Sequence, residues 1–160
     1  MPAILRTRQL IALVVTLAAA VLLVPLLPAP PAHAQTRAER VREALDIVRH
    51  QRGDDYSYGS AGPGRFDCSG LMYFAFHKAG FDHLPRSSGE QARFSNRIKR
   101  SNMKKGDLIF FTSGGSVYHV AIFVGWHDGH RVMIHASSNA DRVKRARVYS
   151  NSWFPGTLRR

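Results

Sequence analysis

The sequence predicts an α+β domain in which the helix that carries the chain's single cysteine packs on an antiparallel β-sheet. Segments with helical periodicity come first, between Thr36 and Phe94, and segments rich in β-branched and aromatic residues follow, between Asp107 and Tyr149. Short glycine-containing turns separate the first three of these later segments, as in a meander of antiparallel strands. Helices followed by a run of strands are typical of the α+β class.

Residues 1–34 are predicted to form a secretory signal peptide. Two arginines precede an almost wholly apolar run at 10–27, several prolines follow it, and the triplet that ends at Ala34 is a small-x-small cleavage site. The apolar run is nearly long enough to span a bilayer, so a retained membrane anchor is the alternative. Cleavage after Ala34 would leave residues 35–160 as a single domain, secreted to the cell wall or the periplasm.

The chain left after cleavage is long enough for one domain with its own core, and we expect it to be a monomer. Its charge is strongly positive, because the loss of two arginines and no acidic residues lowers the formal net charge from +12 to +10. This charge favours polyanions, and for an exported protein anionic wall polymers or a membrane surface are the expected partners. No basic segment interleaved with aromatic residues indicates nucleic-acid binding.

A first helix is predicted to begin after Thr36. Thr36 is a favourable N-cap residue, and Glu39 three positions later completes a capping box. An apolar stripe at helical spacing follows, formed by Val41, Ala44, Leu45 and Val48. A loop rich in Gly, Asp, Ser and Tyr then occupies residues 53–64.

A second helix is predicted over Cys68–Ala79, with Asp67 as its N-cap and Gly80 as the C′ residue that ends it. Its high density of apolar side chains indicates a central and mostly buried helix. A short third helix is expected over Gly89–Phe94.

Four strands are predicted after the helices. Turns at Gly114–Ser116 and Asp128–Gly129 separate the first three strands. The predicted strand ranges are Asp107–Phe111, Tyr118–Gly125, Arg131–Ala136 and Arg147–Tyr149.

Cys68 cannot form a disulfide within the chain, because it is the only cysteine. A free cysteine is often a small buried hydrophobic residue, but it can also be a nucleophile if histidine partners are present. The unpaired amides and partial positive charge of a helix N-terminus favour the thiolate, and the first-turn amides can hold an oxyanion. The predicted position of Cys68 therefore suits catalysis, although it also suits a structural role.

Two of the eight histidines are candidate partners for Cys68. His119 and His135 each lie in an apolar strand segment, whereas the other histidines are expected at helix surfaces, in loops or turns, or in the signal peptide. If the hairpin centres on His127, His119 lies directly opposite His135 on one face of the sheet. A two-residue Asp128–Gly129 turn alone would direct His135 to the other face. We therefore predict a three- or five-residue loop, or a bulge, at 126–130.

One cysteine and two histidines could also supply three ligands of a zinc site. No Cys-x-x-Cys or His-Glu-x-x-His motif supports that alternative, so we expect no metal and no cofactor. The favoured alternative makes His119 the group that exchanges the thiol proton. His135 would then bond the other ring nitrogen of His119 and fix its tautomer.

Together with their order and spacing, these motifs resemble the NlpC-type cell-wall cysteine peptidases, a papain-like family. The resemblance covers roughly residues 38–148. The matching segments are Asp67–Leu71, Leu84–Ser88 with Gln91, Gly106–Phe111, His119–Gly125 and Met133–Ala136.

This resemblance implies a papain-like fold and a triad of Cys68, His119 and His135. It implies hydrolysis of peptidoglycan stem peptides, usually between D-glutamate and the following diamino acid. An amidase or transpeptidase on the same scaffold and a non-catalytic wall-binding module remain alternatives.

The same resemblance assigns further residues to the cleft. Tyr56 resembles the tyrosine of the family's Tyr-x-Trp-Gly segment, with its hydroxyl near the thiol, although Tyr58 replaces the tryptophan. Asp67 and Ser69 would line the substrate side of the cleft, and capping of the helix is an equally good explanation for them. A cleft-supporting role is implied for Arg86, Ser87 and Ser88, and Arg86 is a candidate to hold a substrate carboxylate.

Overall fold

The computed structural model describes residues 34–159, and the predicted signal peptide lies outside the described residues except for Ala34. The helices are α1 (Arg37–His50), α2 (Cys68–Lys78) and α3 (Ser88–Phe94). The strands are β1 (Asp55–Tyr56), β2 (Arg65–Phe66), β3 (Asn96–Arg97), β4 (Leu108–Ser113), β5 (Ser116–His127), β6 (His130–Ser137), β7 (Arg142–Arg147) and β8 (Trp153–Thr157). Short 3₁₀ turns occupy Arg100–Asn102 and Ser138–Ala140. None of the helices between 34 and 159 is long and apolar enough to cross a membrane.

The strands form one sheet in the order β2-β1-β7-β6-β5-β4-β8-β3. All pairings from β1 through β7, β6, β5, β4 and β8 to β3 are antiparallel, and only β1 and β2 pair in parallel. Two-residue turns join β4 to β5 and β5 to β6, as in a meander. The predicted α+β class and its antiparallel sheet are confirmed.

The start of α1 is stabilised by the predicted capping box. The Thr36 hydroxyl accepts a hydrogen bond from the Glu39 amide at 3.2 Å, and the Thr36 amide donates to the Glu39 carboxylate at 2.8 Å. These two bonds satisfy amide donors that have no partner within the helix. All four residues of the predicted apolar stripe are buried.

Helix α2 begins at Cys68, and its N-cap is Asp67, as predicted. The helix ends at Lys78, and Gly80 follows with a φ of +80°, a backbone conformation that favours glycine. Its buried side chains are fully enclosed between α1 and the sheet; they are Leu71, Met72, Ala75 and Phe76. Helix α2 is therefore the central helix that its composition predicts, and it fixes Cys68 against the sheet.

The fourth predicted strand, Arg147–Tyr149, was placed wrongly. The strand at this position is β7, which occupies Arg142–Arg147 and carries charged residues at four of its six positions. Only Val143 within it is buried, because one face of β7 lines a cavity instead of packing into the core. An alternating apolar pattern was therefore absent, and β8 and the two-residue strands β1 to β3 were also not predicted.

The two faces of the sheet carry separate apolar clusters. On one face, Val120, Ile122 and Ile134 join the main core under α1 and α2. We call the opposite side the outer face; its cluster consists of Ile109, Phe111, Ala121, Phe123, Met133 and Trp153. Because side chains alternate along a strand, His119 lies on the outer face with Ala121, and His135 lies there with Met133.

A bulge in β5 brings the two histidines to the same face. The β5–β6 turn has only two residues, Asp128 and Gly129, and His127 pairs with His130, so the predicted wider loop is wrong. Phe123 pairs with Met133, but Gly125 pairs with Val132, which leaves Val124 as an extra residue in β5. One extra residue reverses the alternation beyond it.

The predicted bulge therefore exists but lies before 126–130, at Val124 and Gly125. Gly125 has a φ of +126°, which L side chains rarely adopt. In the register beyond the bulge Ile122 pairs with Ile134, so His119 and His135 are diagonal neighbours and are not directly opposed. Their shared face is as predicted, and their exact pairing is not.

Candidate active site

A cavity of about 970 Å³ opens where the start of α2 meets β5, β6 and β7. It brings together all nine residues that the sequence analysis assigned to the site. These residues are Tyr56, Asp67, Cys68, Ser69, Arg86, Ser87, Ser88, His119 and His135. Residues from five separate segments therefore converge on one concave surface.

Cys68 is the first residue of α2 and lies partly buried against the main core. Burial raises the pKa of its thiol, and the nearby Asp67 carboxylate raises it further. Hydrogen bonds from the backbone amides of Val120 and Ser69 act in the opposite direction. Desolvation outweighs these hydrogen bonds, so the pKa of Cys68 lies above its ordinary value.

His119 and His135 are bonded to each other. Nε2 of His119 lies 2.8 Å from Nδ1 of His135, and the two rings meet edge to face with centroids 5.0 Å apart. One of these nitrogens carries the shared hydrogen, because two bare ring nitrogens would repel each other at this distance. The contact occupies Nε2 of His119, and Nδ1 is the nitrogen left for proton exchange.

Both imidazoles are neutral over a wide range of pH. Burial lowers the pKa of His119 to about 4. The pKa of His135 falls to about 3, mainly through burial and also through the positive charges that His119 and Lys144 can carry. Together with the raised pKa of Cys68, these values describe a neutral thiol beside a neutral imidazole pair.

The carboxylate of Asp67 is held in a dense network. It accepts hydrogen bonds from Arg86 Nη1 at 3.0 Å and Nη2 at 2.6 Å, and from the Gly70 amide at 2.6 Å. Further donors are the Gly59 amide and the Ser69 hydroxyl. Burial alone would raise the pKa of this carboxyl, but the bonds from Arg86 and Gly70 hold it below its usual value.

Arg86 is already engaged within the protein. Besides Asp67, its guanidinium donates to the Ser69 hydroxyl at 3.0 Å and to the Ser60 carbonyl at 3.1 Å. Four of its five N–H groups are used in these contacts. Arg86 therefore holds the Asp67 carboxylate in place. Asp67 caps α2 and also lines the cavity, so the two explanations offered for it are both satisfied.

Ser87 and Tyr56 line the cavity from two separate short elements. Ser87 is the N-cap of α3, and its hydroxyl donates to the Glu90 carboxylate at 2.6 Å. Tyr56 ends β1, and burial together with the charge that Cys68 can carry raises the pKa of its hydroxyl. Both side chains are thus placed by short local elements.

Among the cavity residues that sequence reasoning missed are Tyr118, Tyr149 and Lys144. Tyr149 stacks on Phe111 with ring centroids 4.8 Å apart, and burial and its bond with Tyr118 raise its pKa to about 12. Lys144 is the direct partner of His135 in the β6–β7 ladder, so both side chains point the same way. The position of Lys144 could have been inferred only from the correct range of β7.

Within residues 34–159, no group of three His, Cys, Asp or Glu side chains is arranged to hold a metal ion. The short contact between the two histidines directs their facing nitrogens at each other. The donor set of this cavity is therefore unlike a tetrahedral zinc site.

A helix that presents a cysteine to a histidine-bearing antiparallel sheet defines a papain-like α+β domain. The chain belongs to the NlpC/P60 family, whose model matches residues 53–159. Solved structures of this family confirm the papain-like fold that the sequence motifs imply. The family matches the one that the sequence motifs resemble.

Three similar proteins illustrate the range of the family. Probable endopeptidase p60 of Listeria monocytogenes is 43% identical over 101 residues, which are 63% of this chain and 19% of that protein. The peptidoglycan hydrolase RipB of Mycobacterium tuberculosis is 29% identical with a TM-score of 0.64, covering 76% of this chain and 66% of that one. The match thus spans about a fifth of the length of the Listeria relative.

The third is RipD of Mycobacterium tuberculosis, which is 26% identical with a TM-score of 0.62. The similarity covers 78% of this chain and 98% of that one. RipD is described as a non-catalytic NlpC/p60 domain protein adapted to peptidoglycan binding. The fold alone therefore does not decide between hydrolysis and binding, and the cavity residues must do so.

Proposed function

We propose that the protein is a secreted peptidoglycan hydrolase that cleaves stem peptides through a thioester on Cys68. The observation that carries the proposal is the meeting of Cys68, His119 and His135 in one large cavity. A partly buried thiol, a base with one free ring nitrogen and a partner that orients the base are the components of nucleophilic catalysis. The bond between D-glutamate and the following diamino acid is the proposed point of cleavage.

The first half of the reaction forms the thioester. The Cys68 sulfur attacks the amide carbonyl carbon while its proton passes to Nδ1 of His119, and the Cys68 amide stabilises the oxyanion. The C–N bond then breaks as Nδ1–H protonates the leaving amine. His135 holds the other nitrogen of His119 and stabilises the imidazolium that forms in between.

The second half releases the acyl group. His119 removes a proton from a water molecule, whose oxygen attacks the thioester carbonyl. The C–S bond breaks, the proton returns to sulfur, and a carboxylic acid leaves. The pKa values of Cys68 and His119 favour a neutral starting pair, so proton transfer accompanies the attack of sulfur in this scheme.

The charge of the cavity supports an acidic substrate. Asp67 is its only acidic lining residue within the described range, and its charge is neutralised by Arg86. Lys144 and Arg147 also line the cavity, and only Arg147 among them is paired, with Asp128 at 3.6 Å. We propose that Lys144 binds a carboxylate of the stem peptide, a role that the sequence analysis gave to Arg86.

The test uses purified peptidoglycan with Cys68→Ala and His119→Ala variants, and His83→Ala as a control in an exposed position. We expect both cavity variants to bind muropeptides without releasing products, and the control to retain activity. Mass spectrometry of the products identifies the bond and separates an endopeptidase from an amidase or a transpeptidase. Full activity in Cys68→Ala would refute the thioester mechanism.

A non-catalytic binding module is the second candidate, favoured by the similarity to RipD and by the raised pKa of Cys68. Alkylation of Cys68 by iodoacetamide at neutral pH separates the two. A catalytic site requires that Cys68 react faster in the native protein than in the His119→Ala variant, because His119 accepts the thiol proton. Equal rates, together with absence of products, would favour the binding module.

A further inference from the structure

A second and smaller cavity, of about 170 Å³, lies on the outer face at the hairpin end of β5 and β6. It shares no lining residue with the catalytic cavity. Both tryptophans of the chain line it, although Trp126 and Trp153 are 27 residues apart in sequence. Arg100 and Arg131 line it as well, and no acidic residue does.

The four side chains form an alternating stack of rings and cations. The guanidinium of Arg100 lies 4.0 Å from the ring centre of Trp153. That of Arg131 lies 5.6 Å from Trp153 and 4.4 Å from Trp126. We call this group the Arg–Trp stack, and each of its contacts is within the range of a cation–π interaction.

The charge of the stack is not neutralised by the protein. Neither arginine forms an ion pair within residues 34–159. Arg100 uses one nitrogen to donate to the carbonyls of Asn151 and Trp153, at 2.8 and 2.5 Å. Arg131 Nε is buried and has no hydrogen-bond partner in the protein. An anionic oxygen in the cavity would satisfy this donor.

The exposed ring of Trp126 adds a second type of recognition. Its side chain is 58% exposed, whereas Trp153 is 7% exposed and belongs to the outer-face cluster. Trp126 also lines the cavity, and its exposed ring offers a flat apolar surface. Ser150 and Asn151 line the same cavity and can bond hydroxyl groups.

We propose that the Arg–Trp stack is a binding site for a sugar that carries a carboxylate or a phosphate. The acidic group enters the cavity beside Arg131, and the sugar ring lies on Trp126. Trp126 lies seven positions after His119 in β5 and on the same face, a distance of roughly 23 Å at about 3.3 Å per residue. An acidic glycan bound at Trp126 would therefore lie at about this distance from His119.

Intrinsic tryptophan fluorescence tests this proposal directly, because both tryptophans lie in the stack and neither lines the catalytic cavity. The probes are a tetramer of galacturonic acid, the matching neutral galactose tetramer and inorganic polyphosphate. We expect the acidic tetramer to change the fluorescence at a concentration about tenfold or more below that needed for the neutral one. Arg131→Gln and Trp126→Ala should each weaken binding by about tenfold, while Arg131→Lys should retain most of it.

The control variant is Arg97→Gln, since Arg97 lies 4.2 Å over the Phe154 ring but outside the cavity. It should bind the acidic tetramer like the parent protein. Equal affinity for the acidic and neutral tetramers, or unchanged binding by Arg131→Gln, would overturn the proposal. Polyphosphate that binds as tightly as the acidic tetramer would overturn the role of the sugar ring, because that probe has none.

Discussion

The two walls of the cavity that holds Cys68 differ in how their polar groups are satisfied. On the helix wall, the Asp67 carboxylate accepts bonds from Arg86, Ser69 and two backbone amides. On the strand wall, His119 and His135 bond each other, and Nε2 of His135 is buried without a hydrogen-bond partner in the protein.

The two walls therefore differ in role: the helix wall is rigid, and the strand wall can exchange protons. A fully bonded buried network has little freedom to change its protonation or geometry, whereas two desolvated neutral imidazoles can take up a proton when a reaction supplies one. The helix wall thus fixes the place of Cys68, and the strand wall provides the groups that titrate. Each wall should therefore respond to mutation and to pH in its own way.

The largest effect is expected from Asp67→Ala on the helix wall. The substitution removes the N-cap of α2 and leaves Arg86 partly buried without its partner, so we expect the free energy of unfolding to fall by about 3 kcal/mol. Urea unfolding followed by circular dichroism measures it. The matched control is Asp46→Ala, which breaks the exposed 2.6 Å pair with Arg49 and should cost at most about 1 kcal/mol.

Equal losses in the two variants would show that the Asp67 network is no stronger than a surface ion pair. That result would contradict the greater rigidity of the helix wall. The remaining contrast between the walls would rest on the histidines alone.

The sequence predicted the helix wall more fully than the strand wall. Asp67 and the start of α2 follow from local rules, because an N-cap and a C′ glycine act within a few residues. The face shared by His119 and His135 depends on Val124, whose bulge position depends on packing of the whole sheet. Gly125 within a predicted strand was the one local signal of that bulge.

The position of Lys144 in the site also could not be predicted from local sequence rules. Its contact with the cavity follows from pairing with His135, which is a contact between strands nine residues apart in sequence. The charged pattern of β7 does not reveal which face is covered, since Lys144 and Ala146 on one side line a cavity and Val143 is the only buried residue of the strand. The contact of Lys144 with the cavity could not be predicted because it depends on strand register and not on composition.

The second prediction concerns the pH dependence of the free energy of unfolding, to which the two walls contribute in different pH ranges. The folded pKa values of His119 and His135, about 4 and about 3, lie below the ordinary 6.5, so between pH 6.5 and 4 the unfolded chain binds protons that the folded protein does not. The free energy of unfolding should therefore fall as pH decreases through this window. The lowered pKa of Asp67 acts in the same direction but at lower pH: its stabilisation is present above pH 3.8 and is lost only below it.

Urea unfolding at pH 7, 5.5 and 4.5 measures this dependence. In a His119→Gln/His135→Asn double variant, the decrease between pH 7 and 4.5 should be smaller by the contribution of the two imidazoles. Asp67→Ala should keep the decrease unchanged, because its carboxyl titrates at lower pH. An unaltered decrease in the double variant would mean that the histidines are not the buried neutral groups of the strand wall.

The smallest effect is expected from Lys144→Gln, which tests whether the strand wall also selects the substrate. Loss of its charge should lower kcat/KM about tenfold for a stem peptide with a free carboxylate, and much less for the amidated peptide. Arg145→Gln is the control, because Arg145 pairs with Ile134 and points to the opposite side of β7. An equal loss on both peptides would instead indicate that Lys144 acts through its neighbour His135. Removal of the nearby cation changes the pKa of that imidazole whichever substrate is bound.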